Sequence, residues 1–201
     1  MNNRNTLSTI ILTLCCIRVL SFFISFIGVK LLGNGLVDDF LNALYHINTA
    51  IHITVMLFIA YALNLIKEDL WRSVAFILLA LMSAVFMTLA LTKSLNSQTF
   101  KITGMVNMAI ILFFVFQSFF IRSSYFKSAF RIYSVVVLLM VAFNSVIPLI
   151  VYRMALPISF YRYTSLLSIF PAAVECYIVY LFQQYFNANP VYQNNDFISD
   201  L

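Results

Sequence analysis

The sequence predicts an all-α fold: a polytopic integral membrane protein, built as a six-transmembrane-helix bundle with short loops. Three observations predict it. Apolar residues make up 63% of the 201-residue chain and charged residues only 9%, whereas a soluble domain carries roughly 25% charge. Mean hydropathy is +0.96. The apolar residues also fall into six runs, each near the ~20 residues needed to cross a ~30 Å hydrocarbon core. This composition excludes a soluble globular domain, a disordered chain and a nucleic-acid-binding module. The net charge of +5 is spread over short connections, as orientation against anionic headgroups requires.

The six runs cover residues 8–29, 43–65, 71–91, 102–121, 132–151 and 164–185. Arg4 precedes the first run, which is too long for a signal-peptide core of about 7–15 residues and reads as a retained helix. Gly33-Asn34-Gly35 and the acidic pair Asp38-Asp39 close it. Lys67-Glu68-Asp69 forms a tight second turn, Lys93 to Lys101 a polar third loop, and Arg122 to Arg131 a basic fourth. The fifth, Arg153 to Arg162, contains Pro157. Residues 1–186 thus form one transmembrane domain, and residues 187–201 an Asn-rich, acidic tail expected to be exposed and poorly ordered. Six spans put both termini on one side. Arg4, Lys67, Arg72, Arg122, Lys127 and Arg131 lie there, against Lys30, Lys93, Lys101, Arg153 and Arg162 opposite. That slight bias favours cytoplasmic termini. Trp71, Tyr152, Phe160, Tyr161 and Tyr163 fit interfacial anchors.

Charge inside a span costs at least ~2.5–3.5 kcal/mol on insertion scales and calls for an explanation. Arg18 lies in the first span, His52 in the second, Asn144 in the fifth and Glu175 in the sixth. At ~1.5 Å per residue these four fall about 15–20 Å from the terminal side, in one layer near the midplane. Helical spacing gives them inward-facing stripes: Cys15, Ser21 and Ser25 beside Arg18, Tyr45 and Asn48 with His52, and Ser168, Pro171 and Ala172 with Glu175. Asn144 stands four residues before Pro148, and Pro171 is expected to kink the sixth helix near Glu175. Two readings follow. An Arg18–Glu175 ion pair locks the first span to the sixth, with His52 and Asn144 as interhelical hydrogen-bonding glue. Alternatively, the layer lines a hydrated path in which Glu175 and His52 exchange protons.

Other signals point to packing. Cys15, Cys16 and Cys176 sit in apolar runs without Cys-x-x-Cys or Cys/His clustering, so neither a metal site nor a disulfide framework is expected. His46 and His52 lack the spacing of a helical zinc site. Asp38-Asp39 reads as a pair of solvated loop acids. No nucleophile–base pair, metal set or phosphate cradle appears, so no catalytic residue, cofactor or enzyme activity is expected.

Asn-, Phe- and Ile-rich usage is similar to that of AT-rich bacterial genomes. In size and span count the chain resembles small accessory membrane proteins found beside bacterial antiphage and CRISPR systems. That resemblance implies a non-enzymatic, multi-pass protein of the bacterial inner membrane with a role in antiviral defence. With no catalytic set and no transporter repeat in the sequence, elimination leaves a protein acting by assembly, as an accessory or regulatory subunit or a pore-type effector. Its expected partners are the lipid bilayer and a second copy or a protein encoded nearby, with no direct nucleic-acid binding. The alternative is a small transporter or ion or proton channel using Arg18, His52, Asn144 and Glu175. Transporters often show inverted repeats and paired broken helices, and no repeat is visible here.

Overall fold

The computed structural model describes residues 3–31, 34–92, 97–154 and 165–189. Among them it holds six α-helices: α1 (Asn3–Leu31), α2 (Asn34–Leu65), α3 (Leu70–Leu91), α4 (Ser97–Phe119), α5 (Ser124–Arg153) and α6 (Ile169–Ala188). A 3₁₀ turn, Ser165–Ser168, leads into α6, and no described residue is in a strand. Five helices, α1 to α5, are long and apolar enough to cross a membrane. The chain is therefore a multi-pass helical membrane protein. The sixth is more polar, with Glu175, Gln183 and Gln184 among its 20 residues. It is nonetheless packed into the bundle against α1, α5 and α2.

Each helix packs on the next in sequence, and α6 returns to α1, so the six close into a ring. The closing seam is antiparallel. Gln183 donates to Thr9 at 2.8 Å, the thiols of Cys16 and Cys176 lie 3.8 Å apart, and Arg18 pairs with Glu175. As one helix position rises the other falls, and the two ends of the described chain meet at one end of the bundle. Both faces of the seam carry a seven-residue rhythm. Ser8, Ile11, Cys15, Arg18 and Ser25 are buried on α1, and Ala172, Glu175, Val179, Phe182 and Phe186 on α6. Ile10, Ile17, Leu20 and Ile24 of α1 face outward, as lipid-exposed positions should.

The interior has two unlike halves. Toward the terminal end, rings from α2 to α6 fill it. Phe182 stacks on Phe126 at 4.3 Å, Phe76 meets Phe114 at 5.1 Å and Phe130 at 5.6 Å, and Phe114 meets Tyr133 at 5.4 Å. All six are fully buried, and edge-to-face contacts of this kind favour one fixed arrangement. Toward the other end the packing loosens. No residue is buried in 83–92 of α3 and its cap, 101–113 of α4 or 141–146 of α5.

Several connections differ from expectation. Asp38 and Asp39 lie inside α2, not in a loop. Lys127 and Arg131, expected in a basic loop, occupy the first turns of α5, and Lys101 lies within α4. In each case the helix outruns its apolar run, because backbone hydrogen bonding continues into the headgroup region where charge is tolerated. Helix α5 passes through Pro148. Pro171 is the third residue of α6 and does not break a longer helix. In a first turn its missing N–H costs nothing. Trp71 is exposed, whereas Pro157, Phe160, Tyr161, Tyr163 and the tail from 190 lie outside the described residues.

Two turns at the terminal end are clasped together. Lys67 takes a left-handed backbone (φ 56°), which brings Glu68 round beneath α3. The Glu68 carboxylate pairs with Arg72 and accepts the backbone N–H of Ser123 at 2.7 Å and of Arg122 at 3.3 Å. Asp69 bridges Arg72 at 3.1 Å and Arg122 at 3.2 Å. The carboxylate thus meets the N-terminus of α5, where unpaired N–H groups and the helix dipole favour an anion.

Candidate functional site

The aromatic half ends at the polar layer. Glu175 is buried to 1% exposure and Arg18 to 9%. Hydrocarbon offers neither of them a partner, so the α1–α6 seam places them face to face. Nη1 of Arg18 bonds Oε2 of Glu175. Tyr133 of α5 donates to Oε1 at 2.7 Å. Nδ1 of His52, from α2, lies 3.2 Å from Oε1 and 3.1 Å from Nη1 of Arg18. One carboxylate therefore ties four helices together. On its flank Ser21 donates to the Asn48 side chain, a second polar link between α1 and α2.

Above this layer lies a cavity of about 570 Å³. All six helices contribute to it, because it occupies the region where α3, α4 and α5 bury nothing. Arg18, His52, Tyr133 and Glu175 form its floor. Ser25, Asn48, Thr49, Ser83 and Asn107 supply uncharged polar groups to the walls. Phe22, Leu79, Phe86, Ile111, Val137 and Met140 make most of the rest apolar. A cleft of 300–1,000 Å³ with few convergent polar groups has the proportions of a small-molecule site.

Three of the four residues expected in the polar layer, Arg18, His52 and Glu175, come into direct contact. Asn144 does not join them: it is exposed and lines the cavity wall. Tyr133 completes the network and was missed, since a tyrosine in a span reads as an interfacial or packing residue. Its signal was positional. Tyr133, Val137, Met140 and Asn144 recur at helical spacing along α5, and all line the cavity. Among the described residues no group of three His, Cys, Asp or Glu side chains could hold a metal ion.

Chemically, the floor is a neutral ion pair with an imidazole that can accept from one partner or donate to the other. His52 is its most open member, with 21% of its side chain exposed against 1% for Glu175. The floor can hold a proton, orient a polar head and present hydrogen bonds, while the walls accept an apolar body. A comparison with protein-family models, curated proteins and solved structures finds no match for this chain.

Proposed function

We propose that this membrane protein binds a small solute in the intrabundle cavity, with the apolar body against the walls and the polar end on the Arg18–His52–Glu175–Tyr133 floor. The observation that carries the reading is the cavity itself, of about 570 Å³ and lined from every helix. Interhelical glue alone calls for contact between polar groups and not for an open volume above them. Assembly as an accessory subunit or pore-type effector likewise places no demand on an internal cavity, and the defence context draws on size and span count only. The solute or proton reading of the layer is therefore preferred. Its action is binding or passage and not catalysis, in a bacterial inner membrane.

The aromatic half supports binding over open conduction. A conducting route needs a wetted lining from face to face, and below Glu175 the interior is filled by buried rings. The test uses purified protein in lipid nanodiscs, exposed to a total small-metabolite extract, with retained solutes identified by mass spectrometry. Val137→Trp fills the cavity and serves as the reference. A solute enriched on the wild-type protein and lost on Val137→Trp is expected. Equal retention on both, or on neither, would overturn the reading.

A further inference from the structure

Resting on the solute-binding reading of the same cavity, we propose that its occupant carries a carboxylate. The carboxylate docks on the Nε–Nη2 edge of the Arg18 guanidinium, which carries no hydrogen bond in this structure, and binds together with one proton taken up at His52.

The first observation is the way Arg18 is used. Its bonds to Glu175 and His52 both leave from Nη1. Its Nε–H is buried and has no partner. A buried donor left unpaired costs about 1–3 kcal/mol, so its retention calls for a reason. Nε and Nη2 form one side of the planar guanidinium, the side that meets a carboxylate through two parallel N–H···O bonds. Arg18 lines the cavity but its Nε is covered, so the ligand carboxylate is met when the side chain turns that edge into the cavity, with Nη1 keeping Glu175.

The second observation is charge. Arg18 and Glu175 cancel, so a bound monoanion leaves one negative charge in a largely apolar cavity, which is unfavourable without a counter-charge. The charged and titratable groups around His52 are Arg18 from α1, Tyr133 from α5 and Glu175 from α6, with Tyr45 further along its own helix and Cys15 beside Arg18 and Glu175. Helices α3 and α4 bring Ser83 and Asn107 and no titratable side chain to the cavity among the described residues. Among the described residues that line the cavity, His52 is the one that can gain a positive charge. Its Nδ1 stands between Nη1 of Arg18 and Oε1 of Glu175, at 3.1 Å and 3.2 Å. A neutral ring satisfies one of these: its lone pair accepts from Arg18, or its N–H donates to Glu175. The imidazolium donates to Glu175 and supplies the missing charge, while Nη1 of Arg18 keeps its bond to the same carboxylate. A proton from water is the only atom added, and no bond to carbon changes. Each partner then strengthens the binding of the other by the same factor.

The test is calorimetry on the full chain in zwitterionic nanodiscs, with 4-phenylbutyrate as the carboxylate probe and 4-phenyl-1-butanol as its neutral counterpart. Titrations in buffers of different ionisation enthalpy give the protons taken up. The phenylbutyrate complex should take up about one proton, with affinity falling about tenfold per pH unit on the alkaline side. The alcohol should bind without proton uptake. His52→Gln should flatten the pH dependence of phenylbutyrate binding. Arg18→Lys keeps the charge but removes the two-bond edge, so it should lower the phenylbutyrate-to-alcohol affinity ratio at least about tenfold. If both probes bind alike and without protons, the carboxylate and its proton are wrong while the cavity site stands. If neither binds, both fail. A ratio unchanged in Arg18→Lys would overturn the docking edge.

Discussion

Replacing Glu175 by leucine should unfold most of the protein, and replacing Arg18 by methionine in the same chain should rescue it. The substitution removes the acceptor of three side chains at once. Arg18 is left charged at 9% exposure, and an orphaned buried charge costs about 3–5 kcal/mol. Tyr133 is left with the Met56 thioether at 3.9 Å in place of a carboxylate at 2.7 Å, which costs about 1–3 kcal/mol. The sum, about 4–8 kcal/mol, is a large part of a typical total stability of about 5–15 kcal/mol. Arg18→Met alone should be milder, because Glu175 keeps the Tyr133 hydroxyl at 2.7 Å and the His52 ring at 3.2 Å. The double variant loses the orphaned charge and retains only the stranded hydroxyl, so it should stand about 3–5 kcal/mol above the Glu175→Leu single. Thermal melting of purified protein, read as the monodisperse fraction surviving on size exclusion, measures all three. A double variant as defective as the sum of the singles would refute the pairing.

Phe182→Ala removes the ring that touches Phe58, Phe126 and Phe186 and should cost about 3–5 kcal/mol, seen in denaturant titration; a loss below about 1 kcal/mol would mean that half is not close-packed. Glu68→Gln should loosen the two-turn clasp and speed trypsin cleavage after the exposed Arg122, and an unchanged cleavage rate would show that the clasp does not hold the α4–α5 turn. Copper-phenanthroline should join Cys16 to Cys176, whose thiols are 3.8 Å apart, within one chain. The cross-link should persist in Cys15→Ser and vanish in Cys16→Ser; its absence from the native protein would contradict the α1–α6 register. Reporters fused after Asp69 and after Lys127 should label one side of the membrane, and a reporter after Met154 the other.

The helices were legible because the bilayer constrains them so tightly: every backbone group must be satisfied within the segment, so length and apolarity suffice. Matched depth likewise brought Arg18 and Glu175 together, since neither has an inexpensive alternative in hydrocarbon. Depth alone does not fix the direction a side chain faces. Asn144 shares the layer but stands off from the carboxylate on the cavity wall, while Tyr133 reaches it from the same helix, two residues past Arg131, where a tyrosine reads as an interfacial residue. Lys67-Glu68-Asp69 reads from sequence as a tight turn and nothing more, because a carboxylate that meets the N-terminus of a distant helix, as Glu68 does, depends on tertiary approach. The cavity left no trace in composition. It arises where α3, α4 and α5 stop burying side chains, and that separation is a property of the closed ring.

The intrabundle cavity reaches the polar layer from one side and stops at the aromatic half. Asn144→Cys and Asn107→Cys, each in a chain with Cys15, Cys16 and Cys176 replaced by serine, report it directly with a membrane-impermeant methanethiosulfonate reagent. Both positions should react from the side opposite the termini and not from the terminal side, and phenylbutyrate should slow the reaction. Labelling from both sides would make the bundle an open channel. Labelling from neither would mean that solute in water does not reach the Arg18–Glu175 floor.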